Sequence, residues 1–541
     1  MQNDQAADLI FVNGAIYTVN PSQPWSSAVA ISDGRIIFVG ENSEAEKFIG
    51  AESQVVDLAG RMLMPGFQDA HLHALEAGIN EKLCFINVVF NISLFEALVR
   101  RCAANNPEST WVLGSGVPIY DLYNWDEAVI DVLDRAVPDR PVLILDDLGH
   151  AAIANSLAME AAGYFDLSGN PGGGILERET GALTGIVLED GQHALRTAAG
   201  LANPNQATDN EDALLQAMTI LASNGITSVS DAGGYWQLGH IDAWLSLEAQ
   251  DLLTVRASNA LYVYADGDIE AQIDKLSTLY TNDPNRLLRF NQAKIYVDGI
   301  LDQGTSLLFS QYNEDMGIEE NRGFAYFSEE ALNTYASELS AAGFQLHFHV
   351  TGDRGANWAL NAIEAAQNAR TEDLRHRLTH LYLVHPDDQQ RFANLGVIAD
   401  LQMVGSSFDS GYLNDMRALI GNRLDYYLPF DALESKGVKI VVSSDWDADQ
   451  LSPFAKIESL LRNSSLKNMD LEKAISLLTI NPAYLLHQDE LTGSIEVGKA
   501  ADLIVLDRNI FEISEGQISQ TQVLLTLLNG KEVYRNSNFR E

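Results

Sequence analysis

Apolar and polar positions alternate over residues 7 to 63 in short runs broken by glycine: "ADLIFVNGAIYTV", "AVAISDGRIIFVG" and "QVVDLAGRMLMPG". Short period-two runs bounded by turn residues predict β-strands. The idiom returns at the far end in "GSIEVGKAADLIVLD" and "VLLTLLNGKEVYR", where "ADLIV" echoes the opening "ADLIF". The two ends together predict one small β-sandwich, residues 1 to 63 and 488 to 541, which the chain leaves and later re-enters.

Between the ends the period lengthens. From about residue 205, amphipathic helices such as "NEDALLQAMTILASNG", "EAQIDKLSTLY", "SEEALNTYASELSAAG" and "DDQQRFANLG" alternate with short apolar runs. Those runs are "ITSVSDAG", "LTVRASNALYV", "AKIYVDG", "FQLHFHV", "RLTHLYLV", "VIADLQMV" and "VKIVVSSDWD", and the opening "RMLMPGFQDAHLH" brings them to eight. Eight strands alternating with helices predict an α/β fold, a (β/α)8 TIM barrel over residues 64 to 487, with its chemistry at the C-terminal strand ends. A doubly wound open sheet is the rival architecture, but no phosphate-cradling GxGxxG or P-loop glycine run follows any strand. Residues 84 to 200 do not fit the series and predict an insertion after the first barrel strand, a subdomain over the barrel mouth.

A length of 541 residues suits a large catalytic domain plus a smaller body, and 46% hydrophobic with 20% charged residues describes a globular chain. The formal net charge of -41, from 75 acidic against 34 basic residues, repels phosphate backbones and anionic lipid. It speaks against nucleic-acid and membrane partners. No apolar run reaches the roughly eighteen residues of a membrane span. Cys84 and Cys102 are too few for a disulfide framework and form no CxxC pattern. The start lacks the charged and apolar regions of a secretory signal, so the expected compartment is cytoplasmic, or periplasmic or secreted if an export signal has been removed.

The stretch "MPGFQDAHLHALEAG" sets His71 and His73 two residues apart, so on a strand both face one way. Alone the pair is bland, just as His347 and His349 read as core histidines and Asp445 as a helix cap. Taken together, His71, His73, Lys294, His349, His380 and Asp445 all fall near the ends of predicted barrel strands, and that coincidence predicts a metal site.

With "PGFQDAHLH", "KIYVDG", "HVTGDRG", "RHRLTH", "SSDWD" and "TINPAYLLHQDELTGSIEVGKAADLIVLD", the chain resembles the amidohydrolase superfamily over nearly its whole length, in the branch that includes N-substituted formamide deformylases. The resemblance implies that His71 and His73 bind one metal ion and that His349 and His380 bind a second or complete a single site. It implies a carboxylated Lys294, formed with carbon dioxide, bridging the ions; an ordinary ion pair with Asp298 is the bland reading. Histidine and carboxylate donors suit zinc, one ion or two, with manganese or iron sharing that chemistry. Two departures stand out: Thr379 where relatives commonly carry glutamate, and Trp446 and Asp447 where they carry a small residue and proline.

The implied activity is metal-dependent hydrolysis of a non-peptide or small amide C–N bond by activated hydroxide, with Asp445 as proton shuttle. A deaminase or cyclic-amide hydrolase on the same scaffold is one alternative, and a non-catalytic regulator that keeps the barrel is another. Asp69 and Asp353 are candidate orienting partners for the imidazoles, and His376 reads as a salt-bridge partner. His150 and Asn155 in "GHAAIANS" are candidate substrate contacts, set against turn and cap roles. Tyr120, Tyr123, Trp125 and Trp236 divide between an apolar pocket wall and core. The expected partners are a small-molecule amide substrate and, for assembly, a second copy in a homodimer.

Overall fold

The computed structural model describes residues 6–369, 372–403 and 405–539. Eight strands follow one another in chain order around a barrel: β1 (Phe67–Leu72), β2 (Ile226–Gly234), β3 (Arg256–Tyr262), β4 (Leu288–Tyr296), β5 (Gln345–Val350), β6 (Arg377–His380), β7 (Ile398–Leu401) and β8 (Ile440–Val442). Every adjacent pair from β1 to β8 is parallel. Closure between β8 and β1 happens just past the strands, at the mouth. There the Asp445 N–H donates to the His71 carbonyl at 2.8 Å, and the His73 N–H to the Trp446 carbonyl at 2.5 Å. The fold is thus the expected TIM barrel, with helices such as Gln206–Ser223, Glu329–Ala341 and Asp353–Ala369 between its strands.

Strand β5 shows how the sequence builds both layers at once. Alternate residues of an extended strand face opposite ways, so Leu346, Phe348 and Val350 pack outward into the main apolar core. Gln345, His347 and His349 fall on the other face, buried in the barrel interior. Each outward side chain contributes about 1.5–3 kcal/mol of burial, and the same alternation delivers the polar row to the site. Further polar groups fill the lumen around the fully buried Arg377, which donates to Ser230 Oγ and Gln292 Oε1 at 2.7 Å each and faces Asp400 at 3.4 Å.

The run "RMLMPGFQDAHLH" predicts a single strand, but the structure makes it two. Met62–Pro65 belongs to a sheet built from the chain ends, and β1 starts after Gly66. A Cβ at Gly66 would collide with the Thr227 side chain, so the crossing from one sheet to the next needs glycine. The end sheets have four strands (order Arg35–Gly40, Ala28–Ser32, Leu9–Val12, Gln54–Asp57) and six (Lys531–Arg535, Val523–Leu528, Leu503–Leu506, Met62–Pro65, Ala15–Tyr17, Trp25–Ser26). Phe11, Val29, Leu63, Leu503 and Leu525 share one apolar cluster across them. Leu503–Leu506 pairs antiparallel with Met62–Pro65, which joins the two ends of the chain.

Between β1 and β2 lies a third sheet of six strands, ordered Gly174–Glu179, Ala182–Glu189, Ala151–Ala154, Val142–Asp146, Val112–Val117 and Cys84–Phe85. Cys84 and Cys102, too few for a framework, form a single disulfide, Cα–Cα 5.9 Å, tying the edge strand to the helix Ile92–Asn105. Among the described residues no helix is long and apolar enough to cross a membrane.

Candidate metal centre

Five strand ends bring six side chains to one place. His71 closes β1 and His73 follows it, Lys294 lies near the end of β4, His349 in β5, His380 at the end of β6, and Asp445 just past β8. His71, His73 and Asp445 present ligand atoms within 4.8 Å of one another. Asp445 Oδ1 lies 3.2 Å from His71 Nε2 and 3.4 Å from His73 Nε2, and Oδ2 is 3.7 Å from His380 Nδ1. Lys294 Nζ sits 3.2 Å from His71 Nε2, and the His349 and His380 rings are 4.3 Å apart. His380 (φ 76°) and Asp445 (φ 56°) both hold left-handed backbone without being glycine. Such strain persists where surrounding structure imposes it, commonly at functional sites.

The electrostatics follow from burial and neighbours. Burial pulls His71 well below its ordinary pKa, helped by the Lys294 amine beside it. Burial also opposes a charge on His73, but its hydrogen bonds to Asp445 and Glu76 win and raise it to about 10. Burial pushes Asp445 up, and the His71 and His380 rings outweigh it and hold the carboxyl well below its usual range. Lys294 is lowered to about 7 by burial, so its amine is readily neutral.

The orienting partners differ from those expected. Asp69 Oδ1 accepts the backbone N–H groups of His71 (3.2 Å) and Ser444 (3.0 Å), bracing the β1–β8 closure without touching an imidazole. Asp353 takes the Phe309 N–H at 2.9 Å and the Tyr426 hydroxyl at 3.1 Å. In their place His347 Nε2 meets His71 Nδ1 at 2.7 Å, and Arg377 donates to His347 Nδ1 at 2.7 Å. Glu76 Oε2 holds His73 Nδ1 at 2.9 Å, and Glu76 is itself braced by Arg196 at 2.6 Å. Only Glu76 had a local signal, being three residues past His73 in the first turn of the following helix, Ala74–Asn80.

Several other expectations need correction. Asp298 does not pair with Lys294: its carboxylate clamps the N–H groups of Leu307, Thr351 and Gly352 at 2.8, 3.0 and 2.8 Å. Among the described residues His376 makes no salt bridge; it accepts the Leu346 N–H at 3.0 Å. Asn155 lies away from the site as a helix cap whose oxygen accepts from Val142 and Ala158 and whose amide donates to Val137 and Arg140. That spends all its bonding capacity. His150 does reach the site: Nδ1 meets Glu189 Oε2 at 2.6 Å and its ring is 5.0 Å from that of His349. Of the four aromatics, Trp125 packs on Phe95, Trp236 donates to the Tyr262 carbonyl, and Tyr120 and Tyr123 are both exposed. The aromatic lining of the mouth cavity, about 440 Å³, comes from Tyr235, Tyr296, Trp446 and Phe85.

A family model described as the amidohydrolase family matches residues 54–534. The chain belongs to that family. This amidohydrolase is 26% identical to N-substituted formamide deformylase of Arthrobacter pascens, over 97% of this chain and 98% of the relative. It is also 26% identical to Protein LONG AFTER FAR-RED 3 of Arabidopsis thaliana, over 98% of this chain and 92% of the other. Its fold is similar to that of an uncharacterized metal-dependent hydrolase from Pyrococcus horikoshii, with TM-score 0.74 and 23% identity over 94% of this chain and 99% of that one.

The amidohydrolase's own side chains fit a bound cation. His349 Nδ1 is buried and, among the described residues, has no hydrogen-bond partner, with its ring beside those of His380 and His150. An orphaned imidazole nitrogen there is costly unless a ligand satisfies it, and nitrogen and carboxylate donors in this number are a divalent-metal set.

Proposed function

We propose that the chain is a metal-dependent hydrolase that cleaves the C–N bond of a small or non-peptide amide. The convergence of His71, His73 and Asp445 within ligand distance carries the reading. His71, His73, Lys294, His349, His380 and Asp445 would hold one or two divalent ions, with zinc best suited to these donors. A cation held there supplies Lewis acidity, polarising a carbonyl and lowering the pKa of water toward about 7.

The side chains do the rest. Asp445, kept ionised by its imidazole neighbours, takes the proton of the attacking water and returns it to the departing nitrogen, which otherwise leaves poorly. His150, anchored through Nδ1 on Glu189, has its other nitrogen available to a substrate oxygen. Lys294, buried and with an amine that is readily neutral, has the chemistry to take up carbon dioxide as a carbamate.

Elemental analysis of the purified protein, combined with a panel of N-formyl, N-acyl and cyclic amides, tests this. We expect bound metal and hydrolysis of at least one class. Asp445→Asn should retain much of the metal while losing at least about a hundredfold in kcat. Turnover by metal-free protein, or full activity in Asp445→Asn, refutes the assignment.

A further inference from the structure

The space at the barrel mouth has two lobes that meet at His150, His380 and Asp445. The second lobe, about 320 Å³, lies on the His349 side and is lined by Asp302, Tyr382, Gln402, Tyr412 and Asp449. None of the six candidate ligands above comes from strand β7, yet the residue that follows it at the mouth is Gln402, only 4% exposed.

The orientation of the Gln402 amide is fixed by its neighbours. Ser443 donates its only hydroxyl proton to Asp400 Oδ1 at 2.6 Å, and Asp400 is held opposite Arg377. Ser443 Oγ is then an acceptor, and the group 2.7 Å from it on Gln402 must be the Nε2 donor. The Gln402 carbonyl oxygen is the end left over: it is buried and, among the described residues, has no hydrogen-bond partner. A buried acceptor of that kind needs a donor from outside the fold.

The rest of the lobe asks for the same chemistry. Asp302 accepts the Tyr412 hydroxyl at 3.2 Å, and among the described residues neither Asp302 nor Asp449 has a cation at ion-pair distance. Burial pushes Asp302 up to about 6, a cost that a positive charge beside it would reverse. The Tyr382 and Tyr412 rings add π faces that suit a cation.

We propose that the second lobe is a cation-recognising subsite, in which Gln402 Oε1, Asp302 and Asp449 take the N–H groups of a protonated amine or amidine carried by the amide substrate. This rests on the hydrolase reading only in that the lobe opens onto His380 and Asp445. The substrate class becomes amides with an aminoalkyl or amidino arm, the scissile bond lying between the lobes and the charged end under β7.

The test is calorimetric titration of the metal-loaded protein with butylammonium and with its neutral counterpart butanol. We expect butylammonium to bind at least about tenfold more tightly, the size of one charge-assisted hydrogen bond. Gln402→Leu should remove that preference without changing metal content. Equal binding of the two probes, or an undiminished preference in folded Gln402→Leu, overturns the subsite. Asp302→Asn, at a half-buried position, provides a second reading if Gln402→Leu does not accumulate, and an unchanged preference there overturns it equally. Hydrolysis of N-acyl amines ending in ammonium or methyl separates the two ideas. No turnover of any member with the butylammonium preference intact refutes the hydrolase reading alone. Turnover of both without preference refutes the subsite alone.

Discussion

His73 is committed at both ends of its ring, to Glu76 through Nδ1 and to Asp445 through Nε2. Removing the outer partner frees the ring to rotate, so Glu76→Ala should weaken metal affinity by about ten- to a hundredfold, read by chelator competition. The proton on His73 must leave before a cation takes its place. Because that group is raised to about 10, metal affinity should increase with pH across the neutral range, which the same competition measures at stepped pH. The candidate ligands were legible because each is a strong donor type at the end of a predicted strand. His347 was not: its partner His71 lies 276 residues away, and the alternation that aims it inward also describes an ordinary core histidine. Asn155 was misplaced for the converse reason, since a cap and a pocket residue look alike in a polar stretch.

Among the elements, the barrel strands were legible in existence and order, while their limits were not. "RLTHLYLV" reads as eight strand residues but pairs only over Arg377–His380, because His380 and Leu381 turn into left-handed backbone at the site. The insertion hid its staple as well, since spacing alone does not reveal that Cys84 and Cys102 face each other. Closing a loop of 18 residues, the bond should contribute about 3 kcal/mol. Cys84→Ser should lower the unfolding midpoint under non-reducing conditions and abolish the response to added reductant.

For the whole molecule, acid stability follows from histidines held neutral. Burial lowers His376 to about 4 from an ordinary value of 6.5, while it accepts a backbone N–H. Between those values the unfolded chain takes up a proton that the folded chain refuses, so stability falls as pH drops through that window and levels below it. Thermal melts from neutral to acid pH should show the loss, and His376→Gln should show a smaller slope. The acidic surface, legible from composition alone, adds no specific contact to this account.

The pairing of Leu503–Leu506 with Met62–Pro65 reaches further than the sheet it completes. A stop codon placed after the barrel deletes no metal ligand, yet it strips the neighbour from the stretch that feeds straight into β1. The imidazoles at its tip then lose their footing, so a clone shortened at its far end would present as a metal-loading defect.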